Sequence, residues 1–175
     1  LKPPITPILQ PELSNPLYLK LVCETLRARD LDRLPSGWLG LAPTIRAFLD
    51  EKERQFAEEY ETSVGANIVG GSLRAIARAI ADSGDASLAW SRAQQVVSQE
   101  RPQASALPVV EWLVRADLLI EDALGTDHPL GEESVVRPAF ERLGDFLLAG
   151  ELLSRVRPEN IEQACQPSGA LHSLL

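Results

Sequence analysis

Catalysis needs particular side chains at particular spacings, and this 175-residue chain offers few of them. General acid–base work asks for two carboxyl groups converging on one bond. The adjacent pairs Glu58/Glu59 and Glu132/Glu133 are a weak basis for it. A zinc site needs clustered cysteine, histidine or carboxylate ligands, and Cys23, Cys165, His128 and His172 have no workable spacing. The serines lack a base and an orienting carboxylate. No phosphate loop with its lysine is present; Gly70-Gly71-Ser72 ahead of a helix offers small residues and free N–H groups alone. The expectation is therefore a non-catalytic chain without a metal site.

The elements around these residues belong to an ordinary globular composition, 45% hydrophobic and 24% charged, with 13 prolines and 11 glycines. Methionine is absent throughout and the first residue is Leu1, from which we expect a piece of a longer chain. The longest apolar runs, 107–110 and 118–120, fall far short of the roughly 20 residues that cross a bilayer. No membrane span or signal peptide is expected. Two isolated cysteines fit a reducing, cytoplasmic setting and should be buried as small hydrophobes. The net charge of −8 repels phosphate backbones, so nucleic acid is not an expected partner.

Prolines 3, 4, 7, 11 and 16 keep the start of the chain extended or turning. A helix then opens at 15–26, with Asn15 as its cap and Pro16 in the first helical position, where a missing N–H does no harm. Thr44 should cap a second helix running to about Thr62. Its core stripe is Ile45, Phe48, Leu49, Phe56 and Tyr60, with a gap at Lys52; Asp50, Glu51, Glu53, Glu58 and Glu59 form a solvated face. Val64-Gly65 and Gly70-Gly71 are candidate hinges. Helical patterns follow at 72–83, 87–99 and 105–117, then strand-like runs at 118–122 and 135–140 around a turn-rich stretch at 125–133. A further helix at 140–156 uses Phe140, Leu143, Phe146, Leu147 and Leu153, and a short one occupies 160–165.

Three helices followed by a hairpin is the order of a winged helix. DNA reading would fall to the third helix, which offers only Glu111, Arg115 and Asp117 outside its apolar positions. Residues 66–155 hold eight basic and thirteen acidic residues, a net charge of −5. Packing or relay suits this helix better than base readout.

Two stretches carry a resemblance. Asn-Pro-Leu-Tyr-Leu-Lys-Leu-Val-Cys-Glu-Thr-Leu at 15–26 resembles the segment after the nucleotide-binding core of NACHT-type STAND NTPases, where a helix opens with a proline against the adenine. Val-Val-Arg-Pro-Ala-Phe-Glu-Arg-Leu-Gly-Asp-Phe-Leu-Leu-Ala at 135–149 resembles the end of the winged-helix domain in the same proteins, particularly the bacterial anti-phage members. The two occur in the family's order, with helical material between them.

The resemblance implies a mainly α chain: a helical domain at 1–65 following an NTPase core, a winged-helix domain with a small β-hairpin at 66–157, and the truncated start of a further helical element at 158–175. Pro16 matches the adenine-side proline. Arg137 stands where many eukaryotic relatives have a phosphate-contacting histidine, and a guanidinium pairs with phosphate or with a neighbouring carboxylate. ATP or ADP with Mg would belong to the full-length parent, since the Walker residues have no counterpart here; the fragment itself carries no expected cofactor. Implied partners are the upstream NTPase core, a downstream sensor domain, a phage protein ligand and further copies of the parent. The family's behaviour is a nucleotide-held switch that oligomerises in antiviral defence. The alternative is a winged-helix module of a transcription regulator.

Overall fold

A computed structural model describes residues 16–33, 35, 40–123, 134–154, 156, 161–164 and 166. It is mainly helical, with a small three-stranded antiparallel sheet, and divides into two compact units, residues 1–70 and 71–175. Asn15, Trp38, the 125–133 stretch with His128, and Cys165 and His172 lie outside the described residues.

In the first unit, α1 (Pro16–Ala28) packs on α2 (Leu41–Glu59). Tyr18, Leu21, Val22 and Thr25 form the buried side of α1, where the Thr25 hydroxyl returns a 2.7 Å bond to the Leu21 carbonyl. Ile45, Phe48 and Phe56 form the α2 stripe. Its gap is filled by Lys52, whose ammonium sits 5.1 Å from the Phe48 ring centroid and 3.6 Å from Glu24. Thr44 is not the cap expected of it. Gly40 holds that position at φ 98°, and Thr44 sits inside the first turn, its hydroxyl donating to the Gly40 carbonyl. Cys23, expected buried, is exposed on α1.

The second unit contains most of α3 (Ile68–Ser83), then β1 (Leu88–Ala89), α4 (Trp90–Glu100), α5 (Val109–Arg115), β2 (Leu119–Ala123), β3 (Ser134–Pro138), α6 (Glu141–Ser154) and α7 (Ile161–Ala164). The expected hairpin is present, with Ile120 opposite Arg137 and Asp122 opposite Val135. Leu88, read as helical, instead pairs with Val136 and adds a third strand, giving the order β1-β3-β2. Pro138 is tolerated in the central strand because it is the last residue there. Gly144 lets α6 approach it, since a Cβ would stand 3.2 Å from the Pro138 ring. The core joins Leu73 and Ile76 to Val97, Trp112, Leu113, Leu119, Val136, Leu143 and Leu147. Leu153, expected in this core, is exposed. The helix expected at 105–117 is confined to Val109–Arg115, because Pro108 takes its N-cap and a short 3₁₀ turn occupies Pro102–Ala104.

Three helices end on acidic residues in the left-handed region: Asp30 (φ 52°), Glu61 (φ 51°) and Asp117 (φ 57°). Each is followed by an amide closing a six-residue loop, Leu31 to Leu26, Thr62 to Ala57 and Leu118 to Leu113, all at 2.9 Å. A left-handed conformation costs an L-residue about 1 kcal/mol and glycine almost nothing. Glu61 is exposed, so Glu61→Gly should raise stability by about 0.5–1 kcal/mol and Glu61→Val should lower it by about 1 kcal/mol, read from urea-denaturation midpoints.

Candidate functional site

The acidic face expected on α2 is divided by the fold. Asp50, Glu58 and Glu59 are exposed, but Glu51 is 2% and Glu53 is 6% exposed. Helical geometry explains the difference. Glu51 follows Ala47 and Phe48 by one turn and Glu53 precedes Phe56 and Ala57 by one turn, so the two flank the apolar stripe. A buried carboxylate must be hydrogen-bonded or paired, and each of these is satisfied differently.

Glu53 binds backbone. Its Oε1 accepts from the Ile68 amide at 2.6 Å, and its Oε2 accepts from Val69 at 2.8 Å and Gly70 at 3.1 Å. These are amides of the first turn of α3, which have no partner within their own helix, and the helix dipole adds to their attraction for an anion. Asn67 turns into this position with φ 49°. The helix expected to begin at Ser72 therefore begins at Ile68, and Gly70-Gly71 lies inside it rather than in a hinge loop. The free amides of a helix start, read from sequence at Gly70-Gly71-Ser72, belong instead to Ile68, Val69 and Gly70 and are filled from within the chain. Gly71 has a packing role, since a Cβ there would collide with the Arg101 guanidinium.

Glu51 binds side chains. Arg54 reaches its Oε1 at 2.5 Å, Gln55 reaches the same oxygen at 3.1 Å, and Arg29 stands 3.5 Å from Oε2. Burial pushes its pKa up, but the Arg54 and Gln55 hydrogen bonds and the charges of Arg54 and Arg29 outweigh that and hold it below the ordinary value. In the second unit Arg78 of α3 joins two helices, donating to Glu100 of α4 at 2.5 Å and Glu151 of α6 at 3.1 Å.

The two residues implicated by resemblance fall in different units. Pro16 is the first residue of α1, and Arg137 is exposed in β3. Arg137 Nε donates to Asp122 at 2.6 Å, the neighbouring-carboxylate pairing anticipated as one of its two roles. Glu58 pairs with Arg54 at 2.6 Å, and Glu132 and Glu133 lie outside the described residues. Among the described residues no three histidine, cysteine or carboxylate groups cluster as metal ligands, and no helix is long and apolar enough to cross a membrane. Sequence reading missed Glu53 and the Arg78 network. A signal existed for Glu53: a carboxylate one turn from Phe56 and Ala57, on the side of α2 that the apolar stripe occupies. No family model, curated protein or solved structure matches this chain.

Glu53→Ala should cost about 3 kcal/mol, because it leaves three buried amides without an acceptor, whereas Glu58→Ala on the exposed face should change stability by less than about 0.5 kcal/mol; chemical denaturation compares the two. Glu51 has a depressed folded-state pKa, so its contribution is complete above the unfolded value of about 4.3 and is lost as pH falls through the lower folded value. Glu51→Gln should therefore lower the melting temperature at neutral pH, and the gap from the parent chain should close as pH falls below the unfolded value.

Proposed function

We propose that this chain is the non-catalytic regulatory region of a NACHT-type STAND NTPase. A helical domain and a winged-helix domain close over nucleotide held by an upstream core and relay sensing to oligomerisation in antiviral defence. The observation that carries the reading is the order α3-β1-α4-α5-β2-β3 with β3 central, downstream of a helix that opens at Pro16. That order suits a winged helix whose third helix is α5. Glu111 and Arg115 on α5, with Asp117 just beyond its end, make a poor surface for phosphate backbones, which favours relay over DNA readout.

In this reading Arg137 is a phosphate-side residue. Its Nε is bonded to Asp122, while its terminal amino groups carry no other bond among the described residues and remain available to an anion. Pro16 supplies a flat apolar contact to the adenine. When bound in the parent, ATP and Mg supply the phosphoryl chemistry; this chain supplies orientation and a nucleotide-dependent packing surface. A switch of this kind requires a ligand with different affinity for two arrangements. The sensed phage component and the self-oligomer belong to the parent.

The experiment uses the full-length parent, with nucleotide retention through gel filtration as the readout. Arg137→Ala and Pro16→Ala should each release nucleotide several-fold faster than wild type. Unchanged retention in both would return the two residues to structural roles and remove the proposed contact. A salt-dependent mobility shift of labelled duplex DNA by this chain at micromolar concentration would instead support a transcription regulator.

A further inference from the structure

The second unit also has a cleft that uses neither Pro16 nor Arg137. It lies between α3 and α4 and has a volume of about 540 Å³, within the size range of small-molecule sites. Its lining is built by helical spacing: Ala75 and Ala79 lie one turn apart on α3, and Arg92 and Val96 one turn apart on α4. Ala75, Leu88 and Val96 are buried, and the short alanines leave room that larger side chains would fill.

The charges at the rim differ in what they have left to give. Arg78 is consumed by Glu100 and Glu151, and Asp82 has an interaction of its own. Arg92 is different. Its Nη1 donates to the neutral amide oxygen of Gln95 at 2.6 Å, and among the described residues it has no carboxylate partner. The Gln99 amide lies on the same side of α4. The unused polar capacity of the cleft is thus a guanidinium, above a floor of aliphatic groups.

We propose that this cleft binds a small monocarboxylate with an apolar body, its carboxylate on Arg92 and its hydrocarbon over Ala75, Ala79, Leu88 and Val96. A guanidinium gives a carboxylate two charge-assisted hydrogen bonds, and the floor removes apolar surface from water. The inference is independent of any nucleotide-linked role for the chain.

The probes are 4-phenylbutyrate and its neutral counterpart 4-phenylbutanol, titrated into the whole chain and followed by amide chemical shifts. The carboxylate should bind at least tenfold more tightly than the alcohol, with shifts centred on residues 75–79 and 92–99. Arg92→Gln, at an exposed position, should bring the two ligands within about twofold of each other. Ala79→Phe should weaken both at least tenfold by filling the floor. If that variant does not fold, the Arg92→Gln comparison alone decides. No saturable binding by millimolar carboxylate, equal binding of the two ligands by the wild type, or an undiminished preference in Arg92→Gln would each overturn the proposal.

Discussion

A buried carboxylate on three backbone amides sets the start of α3, and the inclusion of Gly71 in that helix follows from it. The first turn of a helix has N–H groups without helical partners, and here Ile68, Val69 and Gly70 are buried. Neither a polar ligand nor a conventional side-chain cap is needed, because Glu53 reaches them from α2. Fixing residues 68–70 this way extends α3 four residues towards its N-terminus relative to the sequence expectation. It also places Gly71 in the helix, where its missing side chain admits Arg101.

The same principle accounts for how a chain of net charge −8 places acidic groups inside. Among the described residues three carboxylates are buried, and each has defined partners. Glu53 has amides, Glu51 has Arg54, Gln55 and Arg29, and Glu151 has Arg78. Breaking such an arrangement by removing one member leaves an uncompensated group, so these positions specify geometry more than they add net stability. Their occupation also restricts chemistry. A carboxylate already holding several donors is poorly placed to act as a general base, and Arg78 is similarly engaged with two carboxylates.

Most element types were legible from periodicity and turn chemistry. The helix at Pro16, the α2 stripe, the β2–β3 hairpin and the helix after Phe140 all read from local residues. What was not legible depends on distant partners. Leu88 and Ala89 fit a helical pattern and became a strand because Val135 and Val136 pair with them across the chain. Glu51 and Glu53 looked like parts of a solvated run, since charge alone does not reveal that Arg29 or the 68–70 amides will meet them. Leu153 matched the period of α6 but lies exposed near its end. Arg137 was legible as a choice between two partners, and the carboxylate pairing is present; its relation to nucleotide belongs to the functional proposal.

The central physical claim is that the anion-binding amides at the start of α3 are filled by Glu53 rather than held open for a phosphate. Residue-resolved hydrogen exchange at Ile68, Val69 and Gly70 tests it most directly, comparing wild type with Glu53→Ala in the presence and absence of inorganic phosphate. Strong protection in the wild type, indifferent to phosphate and lost at these three amides in the variant, is the predicted result. Fast exchange in the wild type that slows on adding phosphate, or unchanged protection after Glu53→Ala, would contradict it.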